Sequence, residues 1–120
     1  MKKTILLCTA ILILGCSKSS EKIEITSTSK EAVLLYHKAL ELENMLKIDE
    51  AEKVYEKAIL LDSSFAIAHL KIGMLRDNFE KRKQHLAIAM NNIDKISEGE
   101  RIWILARNKF YGTQEGLEEY

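Results

Sequence analysis

The chain has 120 residues and a formal charge of zero, with 18 basic side chains balancing 18 acidic ones. At 47% hydrophobic and 30% charged, and with no proline, it has the composition of an ordered helical domain and not of a disordered chain. The charge balance gives no electrostatic reason to expect nucleic acid or an anionic membrane face as partner, and the length allows one small core and not two.

Met1-Lys2-Lys3 is a short positive opening, and Ile5 to Leu14 is an apolar run of ten residues interrupted by Thr9. A bilayer-spanning helix needs roughly 20 apolar residues, so this run is too short for a permanent span. Its length and flanks are those of a secretory signal peptide. Ile13-Leu14-Gly15-Cys16 then resembles the lipobox of bacterial lipoproteins, with Leu14 where a small residue is usual. The resemblance implies that residues 1–15 are cleaved away, that Cys16 is lipidated through a thioether, and that the new amine is acylated. It implies a lipid-anchored protein of the bacterial cell envelope, and Ser17 after the cysteine points to the outer membrane, with either face open. A plain signal peptide that happens to contain a cysteine is the alternative. Cys8 leaves with the signal and Cys16 is consumed by lipid, so no thiol remains for a disulfide in the mature monomer. Without Lys2 and Lys3 the mature chain carries 16 bases against 18 acids, a net of −2.

Ser17 to Ser29 holds five serines and two threonines among thirteen residues. With Cys16, it reads as a flexible tether over 16–29, with a root-mean-square reach of roughly 20 Å and about 45 Å when extended. Ile23 and Ile25 alternate with polar residues and offer a short strand as the other reading.

From residue 30 the pattern is helical. Thr28-Ser29-Lys30-Glu31 has the form of a capping box with Thr28 at the cap, and Val33, Leu34, Tyr36, Leu40 and Met45 follow on a wide apolar face. A second helix is predicted from Asp49, where Ala51, Val54, Tyr55, Ala58 and Ile59 form the cleanest amphipathic stripe of the chain. Asp62-Ser63-Ser64 is a turn. A third helix is expected over Phe65 to Asp77 and a fourth over Glu80 to Ile96. Ser97-Glu98-Gly99-Glu100 is a further capping box, opening a fifth helix that should run to about Tyr111 and break at Gly112 and Thr113. No stretch shows sustained strand alternation. The expected fold class is all-α.

The chain also resembles itself at an offset of 34: Ala32 meets Ala66, Val33 meets Ile67, Ala39 meets Gly73, Leu40 meets Met74 and Asn44 meets Asn78. Helix pairs with this period resemble the tetratricopeptide repeat. Ala39 stands at that family's small first-helix position, and Ala51, Tyr55 and Ala58 at its second-helix positions, with Leu35 and Leu42 at the large ones. Repeats are expected over about 32–65 and 66–96, with a partial one at 97–120 in which a third pair continues through Gly116, Leu117 and Tyr120. In the second repeat Leu86 and Ala89 match Tyr55 and Ala58 only if the turn is three residues shorter, and Arg82 replaces the first alanine. The resemblance implies a right-handed solenoid of helix pairs whose first helices line a groove. By register that partner-binding groove comprises Val33, Tyr36, Leu40, Glu43, Asn44, Ile67, Leu70, Met74, Asp77 and Asn78, facing a protein or peptide. The competing reading is that several of these pack against the neighbouring pair.

Trp103, Phe110, Tyr111 and Tyr120 are four of only eight aromatic residues and fall in the last 18 positions. A repeat array normally ends in a polar capping helix, so this apolar end calls for a continuation of the chain, self-association or a partner. The histidines His37, His69 and His85 fall on different predicted helices without metal spacing, and His69 reads as a packing residue. Arg76 with Lys81-Arg82-Lys83 is the one basic cluster; it reads as a solvated helix start ahead of an anion site. No converging nucleophile, base, phosphate loop or cofactor motif is present in the pattern. The expected function is a non-enzymatic, lipid-anchored interaction scaffold. The alternatives are a structural or assembly subunit that self-associates or joins an outer-membrane complex through its aromatic end, or the first part of a longer regulatory protein.

Overall fold

The computed structural model describes residues 22–118, with side chains as far as Tyr111. The expected signal peptide, Cys16, the first part of the tether and Tyr120 lie outside the described residues. Within them the chain forms α1 (Lys30–Asn44), α2 (Ile48–Leu61), α3 (Ala66–Leu75), α4 (Phe79–Asn91), a 3-10 turn (Ile93–Lys95) and α5 (Glu98–Glu118). The described residues contain no strand, and the fold is all-α. None of their helices is long and apolar enough to cross a membrane.

Local chemistry sets the helix ends, and several differ from expectation. Ser29, not Thr28, caps α1: its hydroxyl accepts from the Ala32 amide at 3.1 Å, while Thr28 donates its amide to Asp62. At the other end Lys47 donates to the Leu42 carbonyl and Leu46 to the Glu43 carbonyl, both at 2.9 Å, closing the helix in a Schellman motif. Leu46 takes φ 61°, a left-handed conformation in which glycine is usual. α2 begins at Ile48 with no side-chain cap, because Asp49 and Glu52 engage Arg76 instead of the helix terminus. α3 stops at Leu75, two residues before Asp77, and Asn78 caps α4 by accepting from the Lys81 amide at 2.9 Å. α4 ends at Asn91 and the tight turn replaces its expected last residues.

The box at the head of α5 forms as read: the Ser97 amide donates to Glu100 Oε2 at 3.0 Å and the Glu100 amide to Ser97 Oγ at 3.3 Å. The expected break at Gly112 and Thr113 does not occur. One rod continues through them to Glu118, so no separate helix carries Leu117. A glycine costs a helix only about 1 kcal/mol and does not end it unaided.

α1 pairs with α2 and α3 with α4 as helical hairpins; α2 and α3 join them, and α5 packs on α3 and α4. Alanines at 39, 51, 58 and 89 are buried completely and let the helices approach. Gly73 serves the same end: a Cβ there would lie 3.4 Å from the Arg82 backbone. Between the hairpins the rings of Tyr55 and Phe65 lie 5.7 and 5.6 Å from that of Tyr36. Burying residues of this size stabilises the fold by about 1.5–3 kcal/mol each.

The serine- and threonine-rich segment is not a free leash over its described part. Residues 24–29 form an extended strap across the starts of α1, α3 and α5. Ser97 donates its hydroxyl to the Glu24 carbonyl at 2.6 Å and its amide to Thr26 Oγ1 at 3.0 Å; the Thr26 amide donates to Glu100 Oε1 at 3.1 Å. One step on, the Ser27 hydroxyl and the Thr28 amide both donate to Asp62 Oδ2, at 2.6 and 2.9 Å. Ser64 supplies its amide and hydroxyl to Asp62 Oδ1.

Burial pushes the Asp62 carboxyl up, but the hydrogen bonds from Ser27, Ser64 and Thr28 outweigh it and hold the group at about 2. Because this lies below the unfolded value of 3.8, the stabilisation is present above that pH and is lost as pH falls towards 2. Asp62→Ala is expected to lower the unfolding free energy in urea titrations by about 2–4 kcal/mol, since it leaves two amides and two hydroxyls unpaired. Hydrogen exchange at Thr28 should accelerate in the same variant.

Candidate functional site

The ten residues placed by register on a groove separate into three groups. Tyr36, Ile67 and Leu70 are buried, and therefore belong to the core instead of an open wall. Val33, Leu40, Glu43 and Met74 are half-buried and Asn44 is exposed at the end of α1. Asp77 and Asn78 lie in the α3–α4 connection, outside the first helix of the second pair: Asp77 pairs with Arg82 at 3.0 Å and Asn78 caps α4. Tyr36 is enclosed by the rings of Tyr55 and Phe65, and Ile67 and Leu70 by the position of α3. With α2, α4 and α5 all packed on it, every residue from Ala66 to Gly73 is buried, so its sides cannot be divided into wet and dry.

That burial makes Lys71 informative. Its ammonium donates to Glu43 Oε1 at 2.7 Å and lies 5.5 Å from the centre of the Trp103 ring. The Tyr55 hydroxyl donates to Glu43 Oε2 at 2.8 Å, and burial together with that carboxylate raises its pKa. One buried cation thus connects α1, α3 and α5. Lys71 and Trp103 were not among the residues placed on the groove by register. The available signal was a single charge inside an apolar helix, with an opposite charge 28 residues away.

The basic cluster is largely neutralised within the fold. Arg76 pairs with Asp49 and Glu52, and Lys81 with Glu52, whose carboxyl these two hydrogen-bonding cations hold below the ordinary range. Arg82 extends over the Tyr111 ring at 4.5 Å, and Lys83 lies 5.8 Å from the Phe79 ring.

Several hollows adjoin the strap. One, about 140 Å³, lies between residues 26–28, Asp62, Asn92 and Lys95. Another is a wide apolar cleft of about 460 Å³ formed by Ile23, Gly99, Ile102, Trp103 and Ala106.

Folding also brings together two histidines that the sequence places 16 residues apart. His69 Nε2 donates to the Ser63 carbonyl at 2.9 Å, so its Nδ1 accepts from His85 Nδ1, also at 2.9 Å. Among the described residues no third ligand completes a metal cluster with them. Burial lowers the pKa of His69, and burial with the facing His69 and Lys81 holds His85 at about 4.

Both folded values lie below the unfolded 6.5, so the unfolded chain takes up protons first as the solution is acidified. Stability should therefore decline from about pH 6.5 towards 4. Thermal melts between pH 7.5 and 4.5 should show a falling Tm, and His85→Gln, which retains a donor without titrating, should flatten part of that slope.

Comparison of the chain with known family models, with curated proteins and with solved structures finds no match.

Proposed function

We propose that this chain is a non-catalytic, lipid-anchored scaffold of the bacterial envelope, built on helix pairs like those of the tetratricopeptide repeat. In this reading the first helices of its pairs receive a protein or peptide. The observation that carries it is the Glu43–Lys71 ion pair at 2.7 Å. It ties the first helix of one pair to the first helix of the next, so that α1 and α3 act as one surface. The buried small residues support the repeat reading: Ala39 and Gly73 occupy equivalent first-helix positions, and Ala51, Tyr55 and Ala58 are wholly or almost wholly enclosed, as the pattern requires.

The receptive part of the surface is smaller than register alone suggests. With Tyr36, Ile67 and Leu70 withdrawn into the core, it reduces to Val33, Leu40 and Met74, with Glu43 and Asn44 at the end of α1. Met74 and Leu40 supply adaptable apolar contact, and Asn44 carries a donor and an acceptor suited to a peptide backbone. Anchoring rests on Cys16. Each buried methylene contributes about 0.8 kcal/mol, so several acyl chains hold such a protein to a membrane in effect permanently.

Two measurements test these parts separately. Cys16→Ser should release the protein from sedimented envelopes into the soluble fraction; undiminished sedimentation would refute the anchor. A photo-crosslinking residue at Leu40 or Asn44 should give one discrete adduct in cells, and the same residue at Leu60, 85% exposed on α2, should give little. Equal labelling from all three positions would refute the groove.

A further inference from the structure

Part of α5, together with the residue that precedes the strap, forms an exposed apolar patch. On α5 the residues Gly99, Ile102, Trp103 and Ala106 share one side of the rod, while Glu100 and Ile104 turn inward and are completely buried. Ile102 is 59% exposed. Ile23, which precedes the strap and is 46% exposed, lies against Gly99 so closely that a Cβ there would come within 2.9 Å of it. Ile23 and the helix thus form a single apolar surface whose centre is the cleft beside Trp103.

We infer that this surface rests on the lipid bilayer to which the chain is anchored. The inference builds on the lipid anchor proposed above and adds an orientation to it. Its main support is the length of chain left between the lipid and the strap. Glu24 and Thr26 are held by Ser97 and Glu100, so the anchor at Cys16 is separated from Ile23 by seven residue steps and not by the fourteen that reach α1. Seven steps span at most about 25 Å. Ile23 is therefore held near the membrane whatever path those residues take, and the apolar side of α5 is held there with it.

The chemistry of the surface fits that occupant. Its indole combines an apolar body with one polar N–H, the arrangement favoured at a membrane–water boundary. The attraction is hydrophobic and needs no anionic lipid, in keeping with a mature chain close to neutrality. Tethering makes a weak contact effective, because the second contact becomes intramolecular. A second copy of the chain is the poorer fit: each large side chain offers only about half of itself, against the roughly 800 Å² per partner that a stable protein interface buries.

Trp103 is the only tryptophan of the chain, so its fluorescence reports on this surface alone. The full-length lipidated protein is reconstituted into phosphatidylcholine vesicles with or without brominated acyl chains, and flotation is measured in parallel. The expected result is a blue-shifted emission on vesicles and at least a twofold loss of intensity with brominated lipid. Ile102→Ser combined with Ile23→Ser changes only exposed positions of the cleft; it should keep the helical circular dichroism and flotation but lose most of the quenching. Flotation without any quenching would overturn the inference and leave the anchor standing. Failure to float would overturn the anchor and this orientation with it. An emission that shifts with protein concentration in detergent, and is insensitive to brominated lipid on vesicles, would assign the surface to a second copy instead.

Discussion

Two buried carboxylates at the ends of helices organise this molecule. Asp62, at the turn between α2 and α3, accepts four hydrogen bonds; Glu100, in the first turn of α5, accepts from the strap at Thr26 and from Ser97. A carboxylate removed from water is costly unless its lone pairs are satisfied, so each group demands donors in fixed places. Ser27, Thr28 and Thr26 supply them. The strap is ordered because it resolves that demand, although its apolar content is small. In return it connects the starts of α1, α3 and α5, which are distant in sequence, and prevents the last helix from swinging away from the first hairpin.

The same logic operates inside the fold at Lys71. A lysine in a fully enclosed stretch of α3 would be strongly unfavourable alone, and Glu43 offsets that cost by direct contact, with the Trp103 ring as a further neighbour. Pairs of this kind add little net stability against an apolar substitute but discriminate strongly against wrong packing, because either partner unpaired is costly. Glu43 and Lys71 hence specify the register of α1 against α3. That register determines which residues remain open on the proposed groove and which withdraw.

These constraints make the strap a link between structure and placement. A segment that is solvated along its whole length would let the helices tumble far from a lipid at Cys16. Held from Glu24 onward, it leaves a short connection, and the proposed contact of α5 with a bilayer follows from that shortening together with the apolar residues already on the helix. The acid-sensitive His69–His85 pair lies elsewhere, between α3 and α4, and couples to the stability of the second hairpin.

Much of the secondary structure was legible in the sequence, because helix formation is local. The stripe Ala51, Val54, Tyr55, Ala58, Ile59 and the box Ser97 to Glu100 each carry their own geometry within a few residues, and both form where they were read. Helix ends were less legible, since Thr28 and Asp49 were read as local helix starts and each is drawn instead to a partner elsewhere in the chain. The candidate groove was legible only in part: a periodic pattern tells which residues share a side of a helix, but not how many neighbours cover that side. The all-helical class and the helix pairs were thus determined by sequence alone. The enclosure of α3, the meeting of Lys71 with Glu43 and of His69 with His85, and the capture of the strap by Asp62 and Glu100 were decided by tertiary structure, because each depends on contacts between residues far apart in the chain.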